Sequence, residues 1–220
     1  MSSHLDREIS TLKVKLLGLS SFVEKNLSLA IQSIKERDID LAKEVRANDI
    51  EVDKLEVEVE EECLKLLALY QPVAIDLRFV IASLKINNDL ERIGDLAVSI
   101  SKRVRFLDKF PEADFPYDYE EIAKEAKSMV KKSIKSLVQM DSAMARQVCE
   151  DDDKVDALNK KSIQLVYDMI SKKPQNTQAY IHFLSISKNL ERIADYATNI
   201  AEDIIYLVDG DIVRHEGGEI

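Results

Sequence analysis

A ten-residue stretch of this chain occurs twice. Asn88-Asp89-Leu90-Glu91-Arg92-Ile93-Gly94-Asp95-Leu96-Ala97 returns as Lys188-Asn189-Leu190-Glu191-Arg192-Ile193-Ala194-Asp195-Tyr196-Ala197, an offset of 100 residues. A repeat at that distance means one structural unit built twice, and it restricts the fold to tandem copies of something about the size of a small domain. A second correspondence supports this: Asp49-Ile50-Glu51-Val52-Asp53-Lys54-Leu55 pairs with Asp152-Asp153-Lys154-Val155-Asp156-Ala157-Leu158.

The repeated unit is helical. In the first copy Leu5, Ile9, Leu12, Leu16, Leu19, Val23, Leu27, Ala30 and Ile34 recur in steps of three and four, the period of one helix face. Ser3 is placed to cap that helix, and Asp38 to cap the next. The second helix ends at Gln71-Pro72, because proline pushes the preceding residue out of the α region. A third runs from about Val73 to Leu107. The same plan predicts helices over Asp118–Met140, Ser142–Lys172 and Gln175–Val208, with Pro174 stopping the fifth and Gly210 the sixth. The chain has only 5 glycines and 4 prolines, and every proline falls at one of these breaks. Long helices joined by short turns must fold back on themselves as antiparallel neighbours. The expected fold is all-α: two tandem, sequence-related three-helix bundles over 1–110 and 117–210, with Asp108–Asp118 as linker and 211–220 as a tail.

A net charge of −10 argues against nucleic acid, whose binding relies on clustered Lys and Arg, and favours cations or basic protein patches. Cys63 and Cys149 lack CxxC spacing and read as small buried thiols in a reducing compartment. The N-terminal residues lack the order of a signal peptide, and no apolar run approaches the ~20 residues of a membrane span. These features lead to the expectation of a cytoplasmic protein without membrane insertion.

Four acidic pairs stand at i, i+4 spacing: Asp49/Asp53, Glu91/Asp95, Asp152/Asp156 and Glu191/Asp195. Residues four apart share a helix face, where like charges destabilise unless solvent or a cation answers them. With the first turn set between Gln71 and Pro72, Asp53 falls level with Glu91 and Asp49 level with Asp95. With the other turn near Pro174, Asp156 meets Glu191 and Asp152 meets Asp195. The heights agree within about 2 Å at 1.5 Å per residue. Each hairpin therefore gathers four carboxylates. With Leu90, Ile93 and Ala97 as the buried seam, the clusters are expected on the outer flank, shallow and partly exposed. If these are instead merely solvated acidic faces, Arg92 and Arg192 are their counter-charges. Oxygen-only ligands suit hard cations such as Mg²⁺, Ca²⁺ or Mn²⁺, and also iron. His4, His182 and His215 make no E-x-x-H motif, and no phosphate loop or nucleophile elbow is present. A solvated acidic face on a structural scaffold, and a metal-dependent enzyme such as a phosphohydrolase, stay open as alternatives.

Beyond these patterns, Ala68-Leu69-Tyr70-Gln71-Pro72-Val73-Ala74-Ile75-Asp76-Leu77-Arg78, both Leu-Glu-Arg-Ile-x-Asp copies, Asn199-Ile200-Ala201-Glu202 and Gly210-Asp211-Ile212-Val213-Arg214-His215 closely resemble the PhoU family of phosphate-uptake regulators. That resemblance implies two similar three-helix bundles, a homodimer and a non-enzymatic role. The role is restraint of the phosphate-starvation response, through the ATPase subunit of the phosphate ABC transporter and a sensor histidine kinase. It also implies divalent or trivalent metal ions (Fe, Mn, Mg, Zn or Ca) on the acidic motifs: Glu91, Asp95, Glu191 and Asp195, with Asp49, Asp53, Asp152 and Asp156 from the preceding helices. One departure stands out. The second half has Lys173-Pro174-Gln175-Asn176 where the first has Gln-Pro-Val-Ala, and Gln178 in place of Arg78, so a partner surface using Arg78 belongs to the first half alone.

Overall fold

The structure, a computed structural model, describes residues 2–211. Among them are six long helices, α1 (Ser2–Glu36), α2 (Ile39–Tyr70), α3 (Ala74–Leu107), α4 (Tyr119–Gln139), α5 (Ser142–Lys172) and α6 (Thr177–Asp209), with a 3-10 turn at Pro174–Asn176 before α6. No described element is a strand. The boundaries follow local chemistry. Asp38 accepts hydrogen bonds from the backbone N–H groups of Asp40 and Leu41, capping α2. Asp118 and Asp141 do the same for α4 and α5. Gly210 closes α6 in the left-handed conformation at φ 81°, which glycine adopts without Cβ strain. Ser3 proves not to be a cap, because α1 already begins at Ser2 and Ser3 lies within its first turn. The expected tail lies, from residue 212 onward, outside the described residues.

Helices α1, α2 and α3 pack on one another, as do α4, α5 and α6; α3 also packs along α6, and α1 touches α4. One apolar core runs continuously from Ile9 to Leu207 through both bundles. Lys85 of α3 pairs with Asp203 of α6 at 3.2 Å, and Asn189 of α6 donates to Ser99 of α3 at 3.1 Å, so the two central helices run antiparallel. Both cysteines are free. Burial pushes the Cys63 thiol up to about 12 and that of Cys149 up to about 11, which leaves neither as a ready nucleophile at neutral pH.

Arg37 fastens the linker to the first bundle. Its guanidinium donates to the carbonyls of Phe110 at 3.0 Å and Ala113 at 2.5 Å. Arg37→Ala leaves these carbonyls without their donor and is expected to cost roughly 1–3 kcal/mol, with faster proteolytic cleavage within 108–118. Arg37→Lys should recover only part of this, since an ammonium cannot reproduce the fork. An unchanged melting temperature and cleavage rate for Arg37→Ala would contradict the assignment.

Candidate metal centres on the two helical hairpins

The α2/α3 hairpin carries Asp49, Asp53, Glu91 and Asp95; the α5/α6 hairpin carries Asp152, Asp156, Glu191 and Asp195. In each set two carboxylates are half-buried (Asp49 and Glu91; Asp152 and Glu191) and two are exposed (Asp53 and Asp95; Asp156 and Asp195). The seam residues Leu90, Ile93 and Ala97, and their counterparts Leu190, Ile193 and Ala197, are fully inside. The acidic residues are thereby turned to the groove between helices rather than into the core.

The two sets differ in closure. In the second, Asp152, Asp156 and Asp195 each offer an oxygen within 4.8 Å of the others. Burial and the neighbouring carboxylates Asp195 and Asp156 push the Asp152 carboxyl up to about 7. Burial, then Glu191 and Asp156, bring Asp195 up to about 6, with Lys188 and Arg192 opposing. Asp156 is raised by burial and Glu191. Two buried oxygens here, Oδ1 of Asp152 and Oε2 of Glu191, have no hydrogen-bond partner in the protein. Groups of this kind require a partner, because a buried acceptor left unmet costs about 1–3 kcal/mol.

The first set is looser. Burial raises Asp49, with Asp53 and Asp95 adding to it and Lys102 opposing. Glu91 is raised by burial and by Asp95, with Arg92 opposing and Glu56 and Asp53 adding. Arg92 lies 3.4 Å from Glu91 and 3.5 Å from Asp95, as its position in the motif suggested. In the second set the closest cation is instead Lys188, 2.5 Å from Glu191, while Arg192 acts on Asp195 at longer range. Glu56 was not among the expected residues. It stands one turn beyond Asp53 on the same face of α2, and its spacing was the available signal.

Gly94 of α3 faces Val52 and Asp49 of α2. A Cβ there would sit 3.3 Å from Cγ1 of Val52 and 3.6 Å from Oδ1 of Asp49. Gly94→Ala is expected to be nearly neutral, the helix-propensity gain of about 1 kcal/mol offsetting the tight contact. Gly94→Val should cost roughly 2 kcal/mol by pressing α2 away and displacing Asp49. Thermal unfolding of both variants checks this, and equal melting temperatures would contradict it.

The donor set in the second hairpin fits a hard cation: it is all carboxylate, it is crowded enough to hold protons near neutral pH, and it contains buried oxygens without partners. A separate cleft of about 670 Å³ between α3 and α6, lined by Leu84, Lys85, Asn88, Asp89, Asn199, Glu202 and Asp203, includes none of the eight predicted residues. His182 stacks on Phe106 at 4.6 Å, away from the carboxylates.

The class is thus a duplicated all-α bundle protein with an acidic groove on each hairpin. The family profile described as PhoU domain matches residues 16–104 and again 119–204, segments that contain all eight carboxylates. The "Phosphate-specific transport system accessory protein PhoU homolog" of Aquifex aeolicus (strain VF5) is 34% identical over 212 residues, 96% of this chain and 96% of that protein. The protein of the same description from Pseudomonas putida is 32% identical over 220 residues, covering 99% and 85%. The crystal structure of PhoU from Pseudomonas aeruginosa superimposes with a TM-score of 0.89 at 32% identity, over 94% of this chain and 99% of that one. The phosphate transport system regulatory protein PhoU from Streptococcus pneumoniae gives 0.87 at 27%, over 95% and 99%. This chain belongs to the PhoU family.

Proposed function

We propose that this protein is a non-catalytic accessory and regulatory protein of phosphate uptake. It works at the cytoplasmic side through contacts with the ATPase subunit of a phosphate ABC transporter and with a sensor histidine kinase, as a homodimer. The observation that carries this reading is the likeness, over nearly the whole chain, to proteins named as accessory to phosphate transport. In the second hairpin Asp152, Asp156, Glu191 and Asp195 would hold a metal ion; Asp49, Asp53, Glu91 and Asp95 would hold another more loosely. A bound cation would supply positive charge that lets these carboxylates ionise together, stiffening each groove as a docking face. Docking rather than turnover agrees with relatives named as accessory proteins.

One end of the first hairpin supports a contact role. Around the α2–α3 turn Leu69, Val73 and Ile75 are exposed, and Gln71 and Ala74 hold left-handed backbone at φ 46° and 50°. Non-glycine residues in that conformation cost about 1–3 kcal/mol, a strain that clusters at functional sites. The corresponding turn of the second half is Lys173-Pro174-Gln175-Asn176 and offers no such apolar group. The test is co-purification with the transporter ATPase subunit, using the full chain and the Val73→Asp/Ile75→Asp variant, with elemental analysis alongside. Loss of the ATPase in the variant, with an unchanged circular dichroism melt, is the expected result. Failure of the wild-type chain to retain the ATPase would refute the docking. Phosphatase turnover with Mn²⁺ or Mg²⁺ that disappears in Glu91→Ala would refute the non-catalytic reading.

A further inference from the structure

The chain is strongly acidic, yet in one concavity every charged lining residue is a cation. A cleft of about 490 Å³ between the start of α2 and the end of α3 is bounded by Ile39, Ala42, Lys43, Arg46, Ser101, Lys102, Arg105 and Phe106. Four of these are positively charged and none is acidic. Lys43 is tied to the exposed Asp40 at 2.7 Å, and Lys102 is close enough to Asp49 to oppose the rise of its pKa. Arg46, Lys102 and Arg105 make no salt bridge or hydrogen bond among the described residues. Like charges brought together in a concavity repel, so such a set requires either solvent or an anion.

The tandem repeat supplies an internal control. Asp49 and Asp53 correspond to Asp152 and Asp156, and Glu91 and Asp95 to Glu191 and Asp195, which fixes the equivalent positions in the second hairpin. There Lys43 becomes Arg146, Arg46 becomes Cys149, Lys102 becomes Glu202 and Arg105 becomes Ile205. Arg146 is already neutralised, 3.1 Å from Asp209 and 3.6 Å from Asp211. The bundle geometry is common to both halves, but the cation cluster is found in one. Helix packing therefore does not require it. The macrodipole does not explain it either: Arg105 suits the C-terminal turn of α3, but Lys43 and Arg46 lie beyond the first turn of α2, where the dipole gives a cation no support.

We propose that this cleft is a binding site for a small oligophosphate anion, such as a nucleoside di- or triphosphate or an inorganic oligophosphate. The size lies within the usual ~300–1,000 Å³ of small-molecule sites. Arg46 and Arg105, from two different helices, present forked donors suited to phosphate oxygens, and Lys102 and Lys43 add point charges. Phe106, stacked on His182 yet still 43% exposed at the rim, offers its remaining apolar surface to the organic part of a nucleotide. The cleft adjoins the first carboxylate group, since Lys102 acts on Asp49, but its own lining is free of carboxylates and suits an anion rather than a cation.

Isothermal titration calorimetry on the full chain tests this, in low salt with EDTA so that no metal bridges ligand to carboxylate. The titrants are ATP, tripolyphosphate and orthophosphate. ATP and tripolyphosphate should bind once per chain and weaken with added salt, whereas orthophosphate should bind at least about tenfold more weakly. Arg46→Ala, Lys102→Ala and Arg105→Ala, all on the surface, should each weaken binding roughly tenfold. Arg146→Ala, at the equivalent of Lys43, should change nothing. Phe106→Ala separates the sources: weaker ATP with unchanged tripolyphosphate identifies a nucleotide, and equal affinities identify an inorganic oligophosphate. The proposal is overturned if neither ATP nor tripolyphosphate binds at millimolar concentration, or if the Arg46→Ala/Arg105→Ala double variant, with an intact melt, binds as the wild type does.

Discussion

Asp152→Asn is expected to raise the melting temperature of the metal-free protein at pH 7.5 by roughly 4–8 °C and to weaken the further rise that Mn²⁺ gives the wild type. The reason lies in the second hairpin. Burial and the carboxylates of Asp195, Asp156, Asp153 and Glu191 lift the Asp152 carboxyl to about 7 from an ordinary value of 3.8. In the unfolded chain those neighbours are dispersed. Between about pH 4 and 7 the folded protein therefore keeps a proton that the unfolded chain has lost, and stability falls as pH rises through that window. Above it both forms are ionised and the whole cost is present, on the order of 2 kcal/mol once screening at this half-exposed site is allowed for. Asparagine is neutral throughout and removes that cost. Asp195, lifted to about 6, contributes in the same direction over a narrower range. The wild type without metal should accordingly be more stable at pH 5 than at pH 7.5, and near pH 4 the two proteins should melt alike. Circular dichroism melts in EDTA and in Mn²⁺ at these pH values read all of this. A lower melting temperature for Asp152→Asn in EDTA at pH 7.5 would show that the carboxylate has a protein partner worth more than its repulsion.

Phe183→Ala is expected to cause a larger loss, about 3–5 kcal/mol, lowering the melting temperature by on the order of 10 °C. Phe183 is fully buried in α6, its ring 4.0 Å from that of Phe115 and 6.3 Å from that of Tyr180. Phe115 in turn stacks on Tyr119 at 4.2 Å, and the Tyr117 hydroxyl donates to the Phe183 carbonyl at 2.5 Å. The segment 108–118 is thus held by an aromatic group centred on one residue of the last helix. Truncation removes the ring from both sides, and neither the linker nor α6 can close the gap without giving up other contacts. Limited proteolysis should show cleavage within 108–118 well before the helices are attacked. Phe183→Leu should lose less, since most of the volume stays. If Phe183→Ala melted within a degree or two of the wild type, the linker would have to be packed by something else.

The helix boundaries were legible from local sequence because the signals act within a few residues. Pro72 and Pro174 end helices by steric exclusion of the residue before them, Asp38 satisfies free N–H groups two and three residues on, and Gly210 tolerates a positive φ. Ser3 was misread because a possible cap does not by itself say where a helix begins. The pairing of carboxylates in height was equally local, as a constant rise per residue carries a turn position along both arms of a hairpin.

Rotation about the helix axes, by contrast, belongs to the tertiary structure. Each residue turns a helix by about 100°, so small deviations over the twenty residues from turn to site decide which side chains converge. That is why two sequence-equivalent quartets differ: Asp152, Asp156 and Asp195 close to within 4.8 Å, whereas the first set spreads and takes in Glu56. It is also why Lys43 and Arg46 on α2 and Lys102 and Arg105 on α3, about sixty residues apart in sequence, could not be recognised as one cleft until the helices were packed. By itself the sequence determined a duplicated helical protein with an acidic motif in each half, because repetition, periodicity and capping are properties of neighbouring residues. Only the packed hairpins decided which charges face one another, because that depends on how far each helix is turned when its apolar seam is buried.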